Sequence, residues 1–462
     1  MTSVLFHDYP WSRAAAFAAL MTCFLAFPDS AAAETYRIGP DLPLTSVSQI
    51  TSRLKPGDTV EITGDISDSF ILARHGTREK PIVIRGVTWV EEGRIVRPKI
   101  RFPKDAPCGI ICRGAWNIIE GLDISGAVDP ETFMTGSAIY SQADNLVVRN
   151  CYIHHNRQGV YCDDYLSGST TIEFCEFDSN GGVSGFDANM HSVFLCSRKP
   201  GALSVIQHCY FHDAIGGVFV KTRCPLNVIR YNWFENPYYS ALTAVDLEQL
   251  FALDALYPMH TDIVSNVFFQ GWSPGPQYSL LSLGGEHETI PGTEGDFNIA
   301  HNLFVVTKRR STPCLLVHGN VDHVNLYNNV FLDFGVNDWR VYERGTVWDV
   351  PRTKAFLERR GTGDPIIAGA CNWISRKADG VPEFLKNTAR GTNPKFIGLD
   401  TLDFRPAKDS PLARAALSPL SKGRIVDLDP EFEPRRGIPD DLKRVSRRKV
   451  EHPAIGPFEV PE

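Results

Sequence analysis

Apolar and polar residues alternate in short runs that recur along residues 116–332. Each run ends in the same way: an apolar strand-like segment, one small or amide residue, then a further alternating pair. Asn117-Ile118-Ile119-Glu120-Gly121-Leu122-Asp123-Ile124 and Leu146-Val147-Val148-Arg149-Asn150-Cys151-Tyr152-Ile153 are the first two. Aligned on Leu122, Cys151, Cys175, Cys209, Asn232, Asn266, Asn302 and Asn329, the spacings are 29, 24, 34, 23, 34, 36 and 27 residues. Period-2 alternation inside a variable repeat of this size predicts a solenoid of strands. No unit could bury its apolar face alone, so each must stack on its neighbours.

A second apolar segment precedes each run, as in Gly136-Ser137-Ala138-Ile139-Tyr140, Gly159-Val160-Tyr161-Cys162 and Gly217-Val218-Phe219-Val220. Two or three strands per coil, stacked in parallel about 4.8 Å apart, predict an all-β, single-stranded right-handed parallel β-helix. Asn232, Asn266, Asn302 and Asn329 are expected at one turn position, where Asn tolerates left-handed bends and stacked amides bond along the axis. Residues 44–54 read as an amphipathic helix: Ser46-Val47-Ser48-Gln49 has the form of a capping box, and Val47, Ile50 and Leu54 share a face. Such a helix would plug the open end of the solenoid. The pattern fades after Phe334. The domain reading is therefore a leader over 1–33, the β-helix over 34–420, and an irregular C-terminal tail over 421–462 lying along the rod.

Composition narrows the class. Apolar residues make up 43% of the chain, ample for a continuous core, and the net charge of −7 is spread without the basic stripe a nucleic-acid partner would require. After the amino terminus no apolar run approaches the length of a membrane span. Arg13, the apolar stretch Ala14 to Phe27 and the small residues Ala31-Ala32-Ala33 read as a secretory signal, so the protein is expected to be secreted or periplasmic. Ten of 11 cysteines follow that leader. Cys151, Cys175 and Cys209 share one repeat position, which favours an inward stack of free thiols over disulfides, and the cysteine spacings do not match a zinc site.

Leu54-x-Pro56-Gly57-Asp58-Thr59-Val60 and the later Pro81-Ile82-Val83-Ile84-Arg85-Gly86 resemble the opening of secreted pectate-lyase-like β-helix proteins. Gly216-Gly217-Val218-Phe219-Val220-Lys221-Thr222-Arg223, followed by Asn227-x-Ile229-x-x-Asn232, is similar to the Lys-bearing coil of the chondroitinase B and alginate lyase family. It looks closer still to bacterial β-helix proteins with a Lys-Ser-Arg coil. The resemblance spans roughly residues 35 to 420. It implies a polysaccharide lyase in which Lys221 is the base. The family's partner Arg, in an Arg-His-Gly context one coil on, has no counterpart here.

Strand alternation supplies the geometry: with Val218 and Val220 inward, Phe219, Lys221 and Arg223 should share the outer face. The same rule sets Tyr161 and Asp163 outward on a neighbouring coil, Asp246 one coil beyond Arg223, and Glu286 and His318 further along. His191 begins the strand of the intervening coil. β-Elimination in a uronic-acid polymer needs an offset for the carboxylate charge, a neutral base and a proton for the leaving oxygen. Lys221 fits the base, because Arg223 about 7 Å away on the same face disfavours its charged form. His191 completes the catalytic set. Arg223 can clamp a carboxylate in bidentate fashion. Asp163, Asp246 and Glu286 offer the oxygens a Ca2+ ion would use for the same task. Tyr161, Asp163, Phe219, Asp246 and His318 are the expected substrate contacts, with Tyr238 and Tyr239 as further aromatic platforms.

These features together predict an exported protein acting on an acidic polysaccharide, foremost by lyase chemistry. A C5-epimerase would share the proton abstraction, and Asp163-Asp164 could serve an inverting glycoside hydrolase. The rival of another class is a non-catalytic carbohydrate-binding or surface-assembly protein. The residues leave the oligomeric state open.

Overall fold

The computed structural model describes residues 32–461 except 93, 130, 132–134, 164–166, 183–189, 246–258, 273–278, 285–294, 308–313, 318–320, 334–339, 342–366, 377, 379–380, 421 and 439–441. Among the described residues, the strands form three long parallel sheets of 13, 12 and 10 strands. One coil contributes a strand to each in turn. Leu203–Gln207, Tyr210–His212 and Val220–Arg223 make one circuit, and Leu226–Arg230 begins the next. Successive coils pair in parallel, Val205 opposite Val228 and Phe211 opposite Phe234. The chain is thus a parallel β-helix with three strands per coil.

Like residues stack along the bore. Phe177, Phe211, Phe234, Phe268, Phe304 and Phe331 form one inner ladder with ring centroids 4.7–5.0 Å apart. Stacked rings bury large apolar surfaces in an offset geometry that adds to area burial. Outside the thirteen-stranded sheet, Arg37, Glu61, Arg85, Glu120, Arg149, Glu173, Gln207 and Arg230 occupy one register row. The signs alternate as far as Glu173, so each charge meets an opposite one across the strand gap; Glu120 takes Arg85 and Arg149 at 2.5 Å each.

From Asn117–Glu120 onward the corner between the thirteen- and twelve-stranded sheets is two residues long in every described coil, whereas the first two coils spend residues 63–65 and 87–98 there. Its second residue points inward, and from Asn232 to Asn372 it is Asn: 232, 266, 302, 329 and 372, all fully buried. Asn232 donates its backbone N–H and Nδ2–H to Oδ1 of Asn266 (2.9 and 3.0 Å), which does the same to Asn302. The stacked-amide expectation holds, but the left-handed bend falls one residue earlier. Asn150, Phe174, His208, Tyr231, Ser265, His301 and Asn328 carry φ of 52–61°, while the ladder residues do not. In earlier coils Cys151, Cys175 and Cys209 hold the ladder position as buried free thiols, with Sγ of Cys175 donating to the Val148 carbonyl at 3.5 Å.

The capping helix is corrected. Residues 44–54 hold one 3-10 turn, Val47–Gln49, with no α-helix. The capping box at Ser46 and Gln49 forms, and Val47, Ile50 and Leu54 are buried as a plug. Asp68 caps the turn by accepting the N–H groups of Val47 and Ser48 at 2.7 and 3.0 Å, but the chain goes on in three-residue turns, Ile50 N–H to the Val47 carbonyl and Arg53 N–H to the Ile50 carbonyl, because nucleating a longer helix gains little in a segment this short.

The C-terminal segment lies against the two-residue corner and the twelve-stranded sheet. Phe404, Leu412, Ile455 and Phe458 cover Tyr210, Trp233, Phe269 and Leu303. Buried Asp262 accepts the N–H groups of Ile425 and Val426, Arg436 forks onto Glu235 (2.7 and 2.9 Å), and buried Arg447 pairs with Glu459 at 2.6 Å. No described helix is long and apolar enough to cross a membrane. The expected leader, residues 1–33, lies almost wholly outside the described residues.

Candidate functional site

From Asn117 onward the length variation in the coils borders the ten-stranded sheet; before it, the hairpin of Trp89–Glu91 and Arg94–Val96 lengthens one corner between the other two sheets. Connections into the ten-stranded sheet run from the two residues 68–69 to residues 179–192, and connections out of it from residues 224–225 to 342–366. The irregular spacing of the repeat therefore becomes two ragged walls along one face. A floor with variable walls is where a binding site can be built without disturbing the core.

That floor is a register row: Ile111, Tyr140, Tyr161, Phe194, Lys221, Thr243, Ser282 and Leu316. Val220 and Thr222 point into the bore with no exposure, so Lys221 and Arg223 point outward. Both are only 8% exposed, which sets them beneath the walls and not on an open edge. Phe194 is opposite Lys221 in register; Nζ of Lys221 lies 5.8 Å and Cζ of Arg223 6.0 Å from its ring centroid. The two cations thus share one aromatic face. Tyr161 stacks on Phe194 at 5.2 Å and leans on Tyr140 at 5.7 Å, continuing an aromatic track along the axis.

Asp163 is partly exposed, and its Oδ2 accepts the Tyr140 hydroxyl at 2.7 Å. Burial, reinforced by that carboxylate, pushes the Tyr140 hydroxyl well above its ordinary range. His191 is buried and its Nδ1 accepts the Val218 backbone N–H at 3.2 Å, which makes it a brace for the strand entering Lys221. Gly217 makes this approach possible: its φ is +61°, and a Cβ there would meet the Met190 carbonyl at 1.9 Å. The structure brings Tyr161, Asp163, His191, Lys221 and Arg223 to adjacent coils of one sheet. Asp246, Glu286 and His318 lie outside the described residues.

Phe219 is a correction. It is fully buried and packs on Phe211 and Phe234 inside the bore, at 5.8 and 6.4 Å, so it cannot touch substrate. Alternation fails there because the chain rounds a corner: Phe219 and Val220 both face inward, as Ala241 with Leu242 and Leu280 with Leu281 do in later coils. The sequence reading also passed over Phe194, Tyr140 and Trp272. Trp272 is exposed at the border of the coil bearing Ser282, its N–H and that of Gly271 held by Asn236 at 2.8 Å.

A second polar cluster lies on the outer face of the twelve-stranded sheet. His154 and His212 each stack on the Tyr two residues before, and each meets a carboxylate of the preceding coil through Nε2, Asp123 at 2.8 Å and Glu176 at 3.1 Å. Each Tyr hydroxyl donates to the next coil, Tyr152 to Asp178 (2.6 Å) and Tyr210 to Glu235 (3.0 Å). Burial works against charge on His212, but Glu176, Asp213 and Asp178 outweigh it and hold the imidazole up at about 9.

The calcium set of the sequence reading has one described member, Asp163. With one oxygen engaged by Tyr140 and no second described carboxylate beside it, it does not by itself make a calcium cage.

Comparison with known proteins agrees on the fold. A family model described as a right-handed beta helix region matches residues 86–248. A pectate lyase, Pel9A, is similar in structure, with 12% identity, coverage of 93% of this chain and 96% of that one, and a TM-score of 0.47. The family 6 alginate lyase AlyGC gives 17%, 91% and 57%, and 0.48. An alginate lyase from Paenibacillus sp. str. FPU-7 gives 12%, 67% and 94%, and 0.43. A search of curated proteins finds no match. The fold is a right-handed parallel β-helix.

Proposed function

We propose that the protein cleaves an acidic, uronate-containing polysaccharide by β-elimination on the outer face of the ten-stranded sheet. One observation carries the reading: Lys221 and Arg223 sit side by side over the Phe194 ring, covered and outward, on the floor between the variable walls. Arg223 would hold the uronate carboxylate through its fork of N–H donors, stabilising the charge that develops when the neighbouring carbon loses its proton. Lys221, as the free amine, would take that proton. The electron pair left behind forms the carbon–carbon double bond as the glycosidic oxygen departs; that oxygen takes a proton from water, and the Lys221 ammonium returns its own proton to solvent. A covered lysine beside a second cation is the setting in which lysine serves as a general base. Exposed Trp272 would offer a face for a neighbouring sugar ring, while Tyr140 and Tyr161, stacked with Phe194, would present the outer edges of their rings. Asp163, tied to Tyr140, belongs to the substrate track in this reading. His191 would hold the strand that enters Lys221 in place.

The test is incubation of the purified chain with alginate, pectate and glycosaminoglycans, with and without Ca2+, following absorbance from unsaturated uronates. Turnover should appear on one of them. Lys221→Ala should lower it on the order of 10³-fold while the thermal midpoint stays put. Binding without turnover, unaffected by Lys221→Ala, would establish the non-catalytic carbohydrate-binding reading instead.

A further inference from the structure

We propose that Asp178, His212 and Asp213, on the outer face of the twelve-stranded sheet, bind a divalent transition-metal ion of the zinc class and staple two successive coils. One ligand atom from each of the three lies within 4.8 Å of the others. Nδ1 of His212 is 2.7 Å from Oδ2 of Asp213 and 3.8 Å from Oδ1 of Asp178. Ligands about 2.0–2.2 Å from one zinc ion stand roughly 3–3.5 Å apart, so opening the first gap and closing the second by about half an ångström would seat the ion. Asp213 is exposed and free to make that adjustment.

The surroundings are already arranged for a ligand. Glu176 engages Nε2 of His212, which turns Nδ1 toward the two aspartates; a carboxylate behind a histidine is the usual outer support of a metal-bound imidazole. The Tyr152 hydroxyl occupies Oδ2 of Asp178, while Oδ1 on the histidine side accepts the Ser179 hydroxyl at 2.7 Å and keeps a second lone pair for an ion. Three carboxylates around one imidazole leave an excess of negative charge that a dication would neutralise. The twin cluster two coils earlier repeats the rear clamp, Asp123 on His154, but there Nδ1 meets Nδ1 of His155 at 2.7 Å. The comparison shows what is special at 212: only there does the nitrogen turn toward two carboxylates. One nitrogen and two carboxylates suit zinc, nickel, cobalt or manganese, whereas calcium takes oxygen ligands and passes over imidazole. Asp178 comes from one coil and His212-Asp213 from the next, so a bound ion would tie them together. The site is on another sheet from Lys221 and does not depend on the lyase reading.

The experiment is calorimetric titration of the chelator-stripped full chain with zinc chloride, paired with thermal melts. One saturable event near one equivalent is expected, with a rise in thermal midpoint that calcium chloride does not reproduce. Asp213→Asn, at an exposed position, should weaken zinc at least tenfold without changing the apo melt. His212→Gln should abolish binding, and Asp123→Asn in the twin cluster should leave it unchanged. Absence of saturable zinc binding in the wild type overturns the proposal. So does zinc affinity that ignores Asp213→Asn and His212→Gln, or that falls equally with Asp123→Asn.

Discussion

The corner between the thirteen- and twelve-stranded sheets and the borders of the ten-stranded sheet are built from the same repeating coil, yet they obey opposite rules. From the corner at Asn150 to that at Asn372 each coil spends two residues, the first bent into the left-handed region and the second turned into an amide or thiol ladder. The outer side of that corner is closed as well. Phe432 packs on His208 and Tyr231, Arg447 donates to Nδ1 of His301 at 3.2 Å, and Asn328 donates to the Leu417 carbonyl at 2.8 Å. At the borders of the ten-stranded sheet the chain varies freely in length, and the covered cations Lys221 and Arg223 sit on the floor between. One edge holds the solenoid in register so that another can be spent on loops. Fold and candidate site are separable in this molecule, and that separation can be attacked from both sides.

The largest expected effect is at the ladder. Oδ1 of Asn266 accepts two bonds from Asn232, and its Nδ2 donates to the Ile229 carbonyl at 2.9 Å and to Asn302. Asn266→Ala leaves a buried N–H and a buried carbonyl without partners, at about 1–3 kcal/mol each, so a loss on the order of 4 kcal/mol is expected in urea unfolding. Lys221→Ala, on the floor, should cost less than about 1 kcal/mol in the same assay. Equal losses from the two would erase the distinction.

The same separation explains what was legible in the chain. Ladder positions were readable because inward residues stack on their own kind; Cys151, Cys175, Cys209 and the Asn series mark one register line, and the line sets the fold. Lys221 and Arg223 were placed on the right face because they sit within a regular strand. Phe219 was not, because two consecutive inward residues round a corner and a period-2 count slips by one there. The 3-10 turn at Val47–Gln49 escaped because apolar spacing does not tell successive three-residue turns from one short helix, and a segment this short gains little from nucleating the latter. The histidine clusters had a signal that was passed over: Cys151-Tyr152-Ile153-His154 and Cys209-Tyr210-Phe211-His212 repeat two coils apart with Cys175-Glu176-Phe177-Asp178 between them. Asp246, Glu286 and His318 lie outside the described residues.

Acid should act on the sealed corner before it acts on the coils. His301 is fully buried, and that burial, with Arg447 alongside, holds it at about 4 despite Asp429 at 3.7 Å. Burial, with Arg444 and Arg230 close by, holds His208 at about 3. Both are depressed below the ordinary value near 6.5, so the folded form keeps them neutral while a detached segment would bind a proton. Their contribution is complete above pH of about 6.5 and is lost as pH falls from there toward 4. For His301 that amounts to about 3 kcal/mol, directed at the C-terminal segment. Hydrogen exchange should show residues 412–458 losing protection between pH 6.5 and 4 while the Phe ladder strands keep theirs. Uniform protection across that range would mean the segment is not held through these imidazoles.

The smallest effect is the most direct test of the borders. Residues 197–202 connect the strand of Phe194 to the next coil, and a side chain added at Gly201 would meet nothing within 4 Å. Six glycine and serine residues inserted after Gly201 double that connection. Loop-closure entropy grows only with the logarithm of length, so the doubling should cost about 0.6 kcal/mol. The coils on either side are tied through Val193 with Val220 and through Leu203 with Leu226, pairings that an outward loop does not touch. The spread of natural spacings, 23 to 36 residues over one unbroken ladder, argues that such lengthening has already been tolerated at other coils. A loss above about 2 kcal/mol would show that the walls carry folding information of their own. In that case the variable edge could not be treated as spare length on a scaffold fixed elsewhere, and the site and the solenoid would have to be explained together.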